Sequence, residues 1–407
     1  MTRILRLFLY SSLFLSIAAY ADEVSMPAFA PKSPISMGQG GSISSVATGY
    51  EALFTNPAGF ATSEREWIIS PATFWINGEA MAFLVSSGLF SAPSAYDGPT
   101  TTFGDETGYA DYFGRTAEDG GGYGGSWGIG FVGKGLGLGV ISSTELFLSG
   151  SPFPSGVEGY FLSDLSFIGG YTFVPIKGDF FSWSIGADIR PSIRLYAPLT
   201  AESFLAVVAA KHDDSLSDAA YTAALNGVDL YQGAAVALDA GTRLSFGNVT
   251  FSLAIRDFLD TRYSMQRYGY GNWLEELKDD RRIPDSGKDP DGAYIVPMSA
   301  VAGLAYHPDL GSFSRYVDPV FHIDLEDPLV LLRQDDDLSG LLHIGTEIGL
   351  YRIFKLRAGY DRGSLTAGGG LRLAFFQFDV ALFSDAWGQG SQAVPSSGLS
   401  LALSFRF

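Results

Sequence analysis

Two histidine pairs are the first residues in this chain whose types and spacing could do chemistry. His322 precedes Asp324 by two residues, and His343 precedes Glu347 by four. Residues two or four apart in a strand share a face, so each pair could bind a metal ion or assist hydrolysis. The sequence contains neither a GxSxG nor an HExxH motif. We therefore expect no enzymatic activity, no metal site and no cofactor, and we interpret both histidines as polar residues of an interior face.

Arginine side chains offer a second kind of chemistry, the recognition of an anionic group. Arg190 and Arg194 lie in one alternating segment, and Arg357 lies in another. A guanidinium binds a carboxylate through two parallel hydrogen bonds, so these side chains could hold the head of an amphipathic ligand. Acidic residues alternate in the same segments, and ion pairs that fill a polar interior are the other interpretation. The candidate ligand or lumen residues are Arg190, Arg194, Arg243, Arg357, His322 and His343.

Alternation of apolar and polar residues predicts the strands that carry these side chains. In WSIGADIRPSIRLYA at 183–197, the isoleucines fall on one face and the arginines on the other. AVALDAGTRLSF at 235–246 and FQFDVALF at 376–383 repeat the pattern. A period of two residues is typical of strands with one apolar and one polar face.

The composition narrows the function classes. Hydrophobic residues make up 46% of the chain and aromatic residues 14%, and the formal net charge is −18. Nucleic-acid binding requires a basic surface, so we expect no nucleic-acid partner. Cysteine is missing from the sequence, which excludes disulfides and thiolate metal ligands. After residue 21 no apolar run approaches the roughly 18 to 20 residues of a transmembrane helix, so the apolar content must lie in alternating strands.

The strands of a soluble sandwich also alternate apolar and polar residues, so the lengths of the connections are what distinguish it from a membrane barrel. Short connections, such as that at 247–248, alternate along the chain with long ones at 89–122, 197–230 and 259–294. Outer-membrane barrels show this pattern because their periplasmic turns are tight and their extracellular loops are long. Aromatic residues flank several short joints, as in an interfacial girdle. The sequence therefore predicts an all-β fold, a transmembrane antiparallel β-barrel, at 65–407.

The number of strands follows from a parity rule. About fifteen segments alternate, whereas a barrel with both ends in the periplasm needs an even number. The first two candidates are 66–77 and 79–88. We expect that 66–77 follows the N-terminal segment but is not a strand of the wall. The prediction is therefore about fourteen strands.

Both ends of the chain carry export signals. MTRILR, an apolar run and Ala19-Tyr20-Ala21 predict a signal peptide at 1–21, cleaved near Ala21. An uncleaved membrane anchor is the alternative, although the apolar run is too short to span a bilayer. LSLALSFRF alternates up to Phe407 and resembles the signal by which the barrel-assembly machinery recognises outer-membrane proteins. These features predict the outer membrane of a Gram-negative-type, diderm bacterium.

Residues 22–64 do not alternate and are rich in small residues, as in GGSISSVATGYEALFTNPAGFA at 40–61. Small residues suit tight packing inside a narrow polar lumen. This stretch resembles the start of the FadL family of outer-membrane transporters for hydrophobic compounds, in particular its divergent spirochaete-type and PorV-like members. The resemblance implies an N-terminal plug, or hatch, at 22–64 inside the barrel, with Asn56, Pro57 and Ala58 in a turn that gates it. A plain turn is the alternative, because Asn-Pro is a common turn dipeptide.

The expected function also follows from this resemblance. It implies a passive channel for hydrophobic or amphipathic small molecules, such as long-chain fatty acids, surrounded by outer-membrane lipid. A PorV-like scaffold whose long loops bind a secreted or surface protein partner is the alternative, and a water-filled diffusion porin is the third interpretation. We expect the acidic run at 335–337 to be solvated surface, with weak Ca²⁺ association as the alternative. The segment 203–225 predicts amphipathic helices near the outer mouth.

Overall fold

The structure is a computed structural model of the chain, and it describes residues 23–61, 65–78, 120–150, 156–178, 180–200, 202–203, 222–223, 225–280, 287–288, 292–328, 338–387 and 394–407. The expected signal peptide at 1–21, the candidate strand at 79–88 and the acidic run at 335–337 lie outside the described residues, as does most of 203–225.

The described residues form mostly strands. These are β1 (Glu23–Ser25), β2 (Glu66–Asn77), β3 (Gly121–Gly133), β4 (Leu136–Ser149), β5 (Glu158–Lys177), β6 (Phe181–Leu199), β7 (Asp229–Phe246), β8 (Val249–Arg256), β9 (Thr261–Gly269), β10 (Ala293–Val296), β11 (Ser299–Tyr306), β12 (Val317–Glu326), β13 (Leu342–Leu350), β14 (Phe354–Asp361), β15 (Ser364–Leu373), β16 (Phe376–Trp387) and β17 (Val394–Arg406). The α-helices are α1 (Pro34–Met37) and α2 (Tyr270–Asp280), and 3-10 helices span Gly49–Phe54, Pro57–Ala61, Gly311–Arg315 and Leu338–Leu341. Within the described ranges, no helix is long and apolar enough to cross a membrane.

The wall of the molecule is a closed antiparallel barrel. β2 to β8 pair in chain order, β11 to β17 do the same, and the ring closes through β17 with β2 and β8 with β11. Seven strands in each run give fourteen, so the predicted barrel is confirmed. The expectation that 66–77 leaves the wall is wrong, because this segment pairs with β17 on one side and β3 on the other.

Two neighbouring strands of the wall are each broken at the same height. The first consists of β8 and β9, which both pair with β7. The second consists of β10, which pairs with β9, and β11, which pairs with β8. Between β8 and β9, Asp257 and Asp260 have positive φ angles of 53° and 60°. Carboxylates accept the N–H groups that this break frees, since Asp239 accepts from Asp257 N at 2.7 Å and Asp260 from Met298 N at 2.8 Å. The predicted loop at 259–294 is therefore partly wall, because β9 and the start of β10 lie within it.

The outward face of the wall is apolar. In β6, Ile185, Ile189 and Ile193 are 40%, 47% and 39% exposed, whereas Asp188 and Arg190 between them are buried. Alternation in the sequence thus assigned the faces of this strand correctly. Other exposed apolar side chains around the barrel are Val236, Leu238, Phe251, Leu253, Phe321, Ile323, Ile344, Leu356 and Leu382. A belt of this extent needs a hydrocarbon environment, because apolar surface in water costs about 25 cal/mol per Å².

Residues 26–61, here called the luminal segment, pack against the inward side of the wall. One side of the segment is apolar, where Leu53 and Phe60 cluster with side chains of β2 to β5. Wall glycines let these side chains approach the backbone, since a Cβ added at Gly130 would lie 2.8 Å from Leu53 Cδ1, and one at Gly137 would lie 2.6 Å from the Phe60 ring. The opposite side is polar and is hydrogen-bonded to β7, β12, β13 and β15.

Candidate functional site

The Asn56-Pro57-Ala58 turn lies within the luminal segment, and both Asn56 and Ala58 are fully buried. Asn56 Oδ1 accepts a hydrogen bond from Ala58 N at 3.0 Å, and Asn56 Nδ2 donates to Ser44 O at 3.2 Å. This is the Asx turn that asparagine before proline favours. Pro57 O accepts from Thr172 Oγ1 at 2.5 Å, which joins the turn to β5. The role of the turn as a gate stays a prediction.

Glycines in the wall leave the room that this turn occupies. A Cβ added at Gly186 in β6 would lie 2.5 Å from the Pro57 carbonyl carbon and 2.6 Å from Ala58 N. A Cβ added at Gly241 in β7 would collide with Asn56 Oδ1 and lie 3.2 Å from Pro57 Cδ. Real Cβ atoms essentially never come within 3.0 Å of such atoms. Glycine is therefore required at both wall positions while the turn is docked.

Arg194 of β6 lies in a buried ion pair. Its Nε and Nη2 donate to the two carboxylate oxygens of Asp164 at 2.7 and 2.8 Å, and its Nη1 donates to Pro27 O at 2.8 Å. Its guanidinium carbon also lies 4.8 Å from the centre of the Tyr263 ring. The guanidinium thus joins β5, β6 and the start of the luminal segment, as the ion-pair interpretation expects.

Arg190, four residues earlier on the same face of β6, supports the break in the wall. Its Nε lies 3.3 Å from Asp239 Oδ2, and its Nη2 lies 2.9 Å from Asp257 Oδ1. Asp239 is shared with Arg256, whose Nε lies 3.0 Å away. The guanidinium of Arg190 also lies over the ring of Phe29 at 5.4 Å. Charged groups therefore hold the interrupted strands to the luminal segment.

Arg357 of β14 has one carboxylate partner on the adjacent β13 and a second on β16, two strands away. Its Nε lies 2.7 Å from Glu347 Oε2, and its Nη1 lies 2.7 Å from Asp379 Oδ1. Lys355 adds a second cation to Glu347 at 2.6 Å. The result is a ladder of alternating charges across β13, β14 and β16.

The two histidines are both buried but have different surroundings. His343 Nδ1 lies 2.7 Å from Gly40 O and 3.0 Å from Asp361 Oδ1, so it connects the wall to the luminal segment. Neither ring nitrogen of His322 has a hydrogen-bond partner in the described part of the chain. Among the described residues, no group of three or more His, Asp or Glu side chains is placed to hold a metal ion.

Arg243 of β7 differs from the other three arginines because its acceptors are main-chain carbonyl groups. Its Nη2 donates to Ser44 O at 2.8 Å and to Ala47 O at 2.5 Å. Its Nε is buried without a hydrogen-bond partner among the described residues. Arg243 thus ties the luminal segment to the wall through main-chain acceptors, and Asp324 is the carboxylate whose charge acts on it.

Two of the cavities that the described residues line border the luminal segment on its polar side. The inner cavity, toward the short turns, has a volume of about 520 Å³, and the outer cavity, toward the long connections, has a volume of about 220 Å³. Ser45, Ala47 and Arg243 line the inner cavity, whereas Ser42 and Ser44 line the outer one. The outer cavity also reaches the break in the wall at Asp257 and Ser299. Ile43 borders both cavities.

The lumen beyond the luminal segment, at the long-connection end, is aromatic. Tyr231 and Tyr294 have ring centres 4.8 Å apart, and Tyr196 lies 6.4 and 6.3 Å from them. The same buried cluster contains Met26, Trp75, Phe147, Tyr160, Leu162, Tyr263, Met265, Val296 and Phe383. Apolar and aromatic surfaces with a few polar groups are typical of sites for small apolar ligands.

Glu51 is a carboxyl group of the luminal segment that is completely buried. Burial raises the pKa of Glu51 to about 7, and the Arg406 guanidinium opposes that rise. The neutral form is favoured in the docked segment, so docking is most stable below pH 4.5 and weakens as the pH rises through 7. We expect a loss on the order of 3 kcal/mol over that interval, measured as falling hydrogen-exchange protection of residues 26–61.

Glu51→Gln is the control for this pH dependence, because glutamine keeps the shape of the side chain but does not titrate. The variant should show the same protection at both ends of the interval. Wild-type protection that stays constant across the interval would contradict a buried, titrating Glu51.

Sequence reasoning missed several of the carboxylates that complete this site. Asp164 lies at a buried position of β5 between the buried Leu162 and Ser166, so the alternation of that strand would have found it. Asp361, at the end of β14, follows the same rule. Asp257 lies where alternation stops, and no periodic signal marks it.

Comparisons with known proteins give similarities of fold. No family model matches the chain, and no curated protein matches it. The toluene transporter TbuX of Ralstonia pickettii is 12% identical, with a TM-score of 0.46 over 92% of this chain and 97% of its own. The toluene transporter TodX of P. putida is 13% identical, with a TM-score of 0.42 over 93% and 99%. A FadL homologue of Pseudomonas aeruginosa is 11% identical, with a TM-score of 0.43 over 94% and 99%. The narrower spirochaete-type or PorV-like subtype stays a prediction.

Proposed function

We propose that this protein is a passive outer-membrane channel for hydrophobic or amphipathic small molecules, long-chain fatty acids among them, and that the luminal segment gates it. The observation that supports this best is the division of the lumen into an aromatic outer part, a buried plug and a charged inner cavity of about 520 Å³. Each part suits one step of the passage of an apolar solute.

The aromatic part suits capture of the solute. Removal of apolar surface from water stabilises a bound solute by about 25 cal/mol per Å². The packed rings of Tyr196, Tyr231 and Tyr294 would line a solute that enters between them. The inner cavity offers charged groups instead, including Lys355 and Arg372. An apolar solute therefore binds more weakly there, which favours its release at the short-turn end.

The filled middle of the lumen distinguishes this proposal from a diffusion porin. Leu53, Asn56 and Phe60 are at most 1% exposed, so the docked luminal segment leaves no wide aqueous path at its level. A porin needs a continuous water-filled lumen. The proposal assigns no catalytic step to the chain.

The function is tested by uptake into liposomes that contain the purified protein. We expect a fluorescent fatty acid to enter at least about tenfold faster than into protein-free liposomes, while a sugar of similar size enters at the protein-free rate. Asn56→Ala removes the hydrogen bond of the Asx turn, and Pro57→Ala removes the ring that restricts the backbone there, so both variants should change the fatty-acid rate. Equal entry of sugar and fatty acid would indicate a porin, and entry of neither would remove the proposed function.

Two partner predictions need separate tests. A stoichiometric protein that co-purifies in detergent, without co-purified lipid, would favour the PorV-like scaffold over the channel. Deletion of Phe407 should lower the yield of folded barrel in the outer membrane if the barrel-assembly machinery reads the last strand.

A further inference from the structure

Part of the chain that separates the two cavities is a short piece of the luminal segment, residues 41–48, here called the septum. Ser42 and Ser44 border the outer cavity, Ser45 and Val46 border the inner one, and Ile43 borders both. Residues 35–39 also lie between the cavities, because Ile35 and Gln39 line the inner one and Ser36 and Met37 line the outer one. A solute that moves between the cavities along the polar side must displace one of these two pieces, and the septum is the piece that contains Ile43.

The ends of the septum have the backbone freedom that a moving piece needs. Gly40 lies just before the septum and Gly41 is its first residue, with φ angles of 86° and 85°. Gly49 follows the septum with a φ of 58°. Glycine reaches such angles at no steric cost and passes between them and ordinary angles easily. Gly40 is itself held, because its N–H donates to Thr366 Oγ1 at 3.1 Å and its carbonyl oxygen lies 2.7 Å from His343 Nδ1. The septum thus begins at a fixed point.

Few wall groups hold the septum in place. Asp324 Oδ2 accepts from Ser42 Oγ at 3.1 Å and lies 3.4 Å from Ser45 N, at the limit of a hydrogen bond. Arg243 Nη2 holds the carbonyl oxygens of Ser44 and Ala47. Each of these two side chains therefore holds the septum through a single atom, Asp324 Oδ2 or Arg243 Nη2.

The same interface contains buried polar atoms that the described chain does not satisfy. They are Ser45 Oγ of the septum and, on the wall, Ser252 Oγ, Asp324 Oδ1 and Arg243 Nε. Ser252, Asp324 and Ser45 converge on Gly303, where an added Cβ would meet atoms of all three. A buried polar group without a partner costs about 1–3 kcal/mol, so this interface is weaker than one with every polar atom paired.

The apolar side of the luminal segment, which faces β2 to β5, is tightly packed. Leu53 and Phe60 pack on β3 and β4 without polar atoms, and the Asn56-Pro57-Ala58 turn fills the space left by wall glycines. Apolar contacts of this density resist separation more strongly than the latched side.

From this asymmetry we infer that the septum is the moving element of the gate, that Asp324 and Arg243 are the side chains that latch it, and that the remaining luminal segment stays docked during passage. The inference rests on the proposed function for the nature of the solute. The Asn56-Pro57-Ala58 turn is then the anchor of the gate, not its moving part.

A reversible lock tests the inference, and the absence of native cysteine from the sequence makes it simple. The double variant Ser45→Cys/Gly303→Cys places two thiols at the septum, where a Cβ at 303 would lie 2.8 Å from the Ser45 Cβ. The Asp324 carboxylate, whose Oδ1 would collide with the Cβ at 303, must turn away in this variant, so its own reduced form is the reference for uptake. Small shifts then reach the Cβ separation of about 3.8 Å that a disulfide prefers. We expect oxidation to lower uptake of the fluorescent fatty acid at least about tenfold, and reduction of the same sample to restore it.

A matched lock outside the septum is the control. Gly38→Cys/Ala381→Cys joins the luminal segment to β16, since a Cβ at 38 would lie 3.4 Å from Ala381 Cβ. Oxidation of this pair should change uptake less than about twofold if only the septum moves. Unchanged uptake with the septum locked, or equal inhibition by both locks, would overturn the inference.

Ion conductance separates the latch from the proposed function, because it needs no hydrophobic solute. Asp324→Asn keeps the size of the side chain but removes the charge that strengthens its hydrogen bonds. In planar bilayers we expect its open probability to exceed that of wild type by about tenfold. If conductance rises while no hydrophobic probe is taken up, the latch holds and the proposed function fails. If uptake is normal while Asp324→Asn and both locks have no effect, the latch fails and the function holds.

Discussion

Gly241→Val should displace the luminal segment and open the pore of the barrel to ions. A side chain at this position of β7 would collide with Asn56 Oδ1 and crowd Pro57 Cδ, which lies 3.2 Å from the site of the added Cβ. The wall strand is paired on both sides along this stretch, so the luminal segment is the part that must move. We expect ion conductance in planar bilayers to rise by at least about tenfold, because the anchor of the luminal segment is lost.

Gly369→Val is the matched control for this variant. It also places valine in a wall strand, but an added Cβ at 369 has no neighbour nearer than 3.7 Å. Its conductance should equal that of wild type, and both variants should keep the heat-modifiable mobility of a folded barrel. If the Gly241→Val barrel is folded and as closed as wild type, the turn is not anchored where the structure has it.

Arg194→Met should be among the most destabilising single changes in the wall. The substitution leaves Asp164, which is 3% exposed, without the two hydrogen bonds of 2.7 and 2.8 Å that compensate its charge. It also removes the donor to Pro27 O. Removal of one partner of a buried ion pair costs about 3–5 kcal/mol. The measurement is the free energy of unfolding in urea, from the folded barrel in detergent or lipid.

Two comparisons identify the cause of this loss. Arg194→Met/Asp164→Leu removes both charges and should recover most of the stability, because no uncompensated carboxylate remains. Arg267→Met breaks a pair with Asp229 whose side chains are 36% and 35% exposed, and it should cost less than about 1 kcal/mol. Equal losses for Arg194→Met and Arg267→Met would show that burial does not control the strength of these pairs.

The proposed roles divide the charged lumen into two functional classes. Arg194, Arg190 and Arg357 each have a carboxylate partner on a neighbouring wall strand, so their main effect is on the stability of the wall. Arg243 and Asp324 instead hold the main chain and hydroxyl groups of the luminal segment. Substitutions in the first class should therefore alter unfolding, and substitutions in the second class should alter conductance.

Local patterns in the sequence predicted most of the fold. In β6 the alternation alone distinguished the exposed Ile189 from the buried Arg190, because strand side chains point to opposite faces in turn. The parity of strands in a closed barrel corrected the count to about fourteen, although it removed the wrong segment, since 66–77 is a wall strand. The break after Arg256 was missed, because irregular backbone has no period to detect.

The sequence by itself thus determined the class of fold, the faces of regular strands such as β6 and the separate character of the N-terminal residues. Only the tertiary structure decided which charges meet. Arg194 pairs with Asp164 thirty positions away, and Arg243 reaches Ser44, 199 positions away. Such contacts depend on the register between strands and on how a distant segment docks in the lumen, and neither is encoded in the local periodicity of any strand. For the same reason the septum and its latch could be found only after the barrel had closed around them.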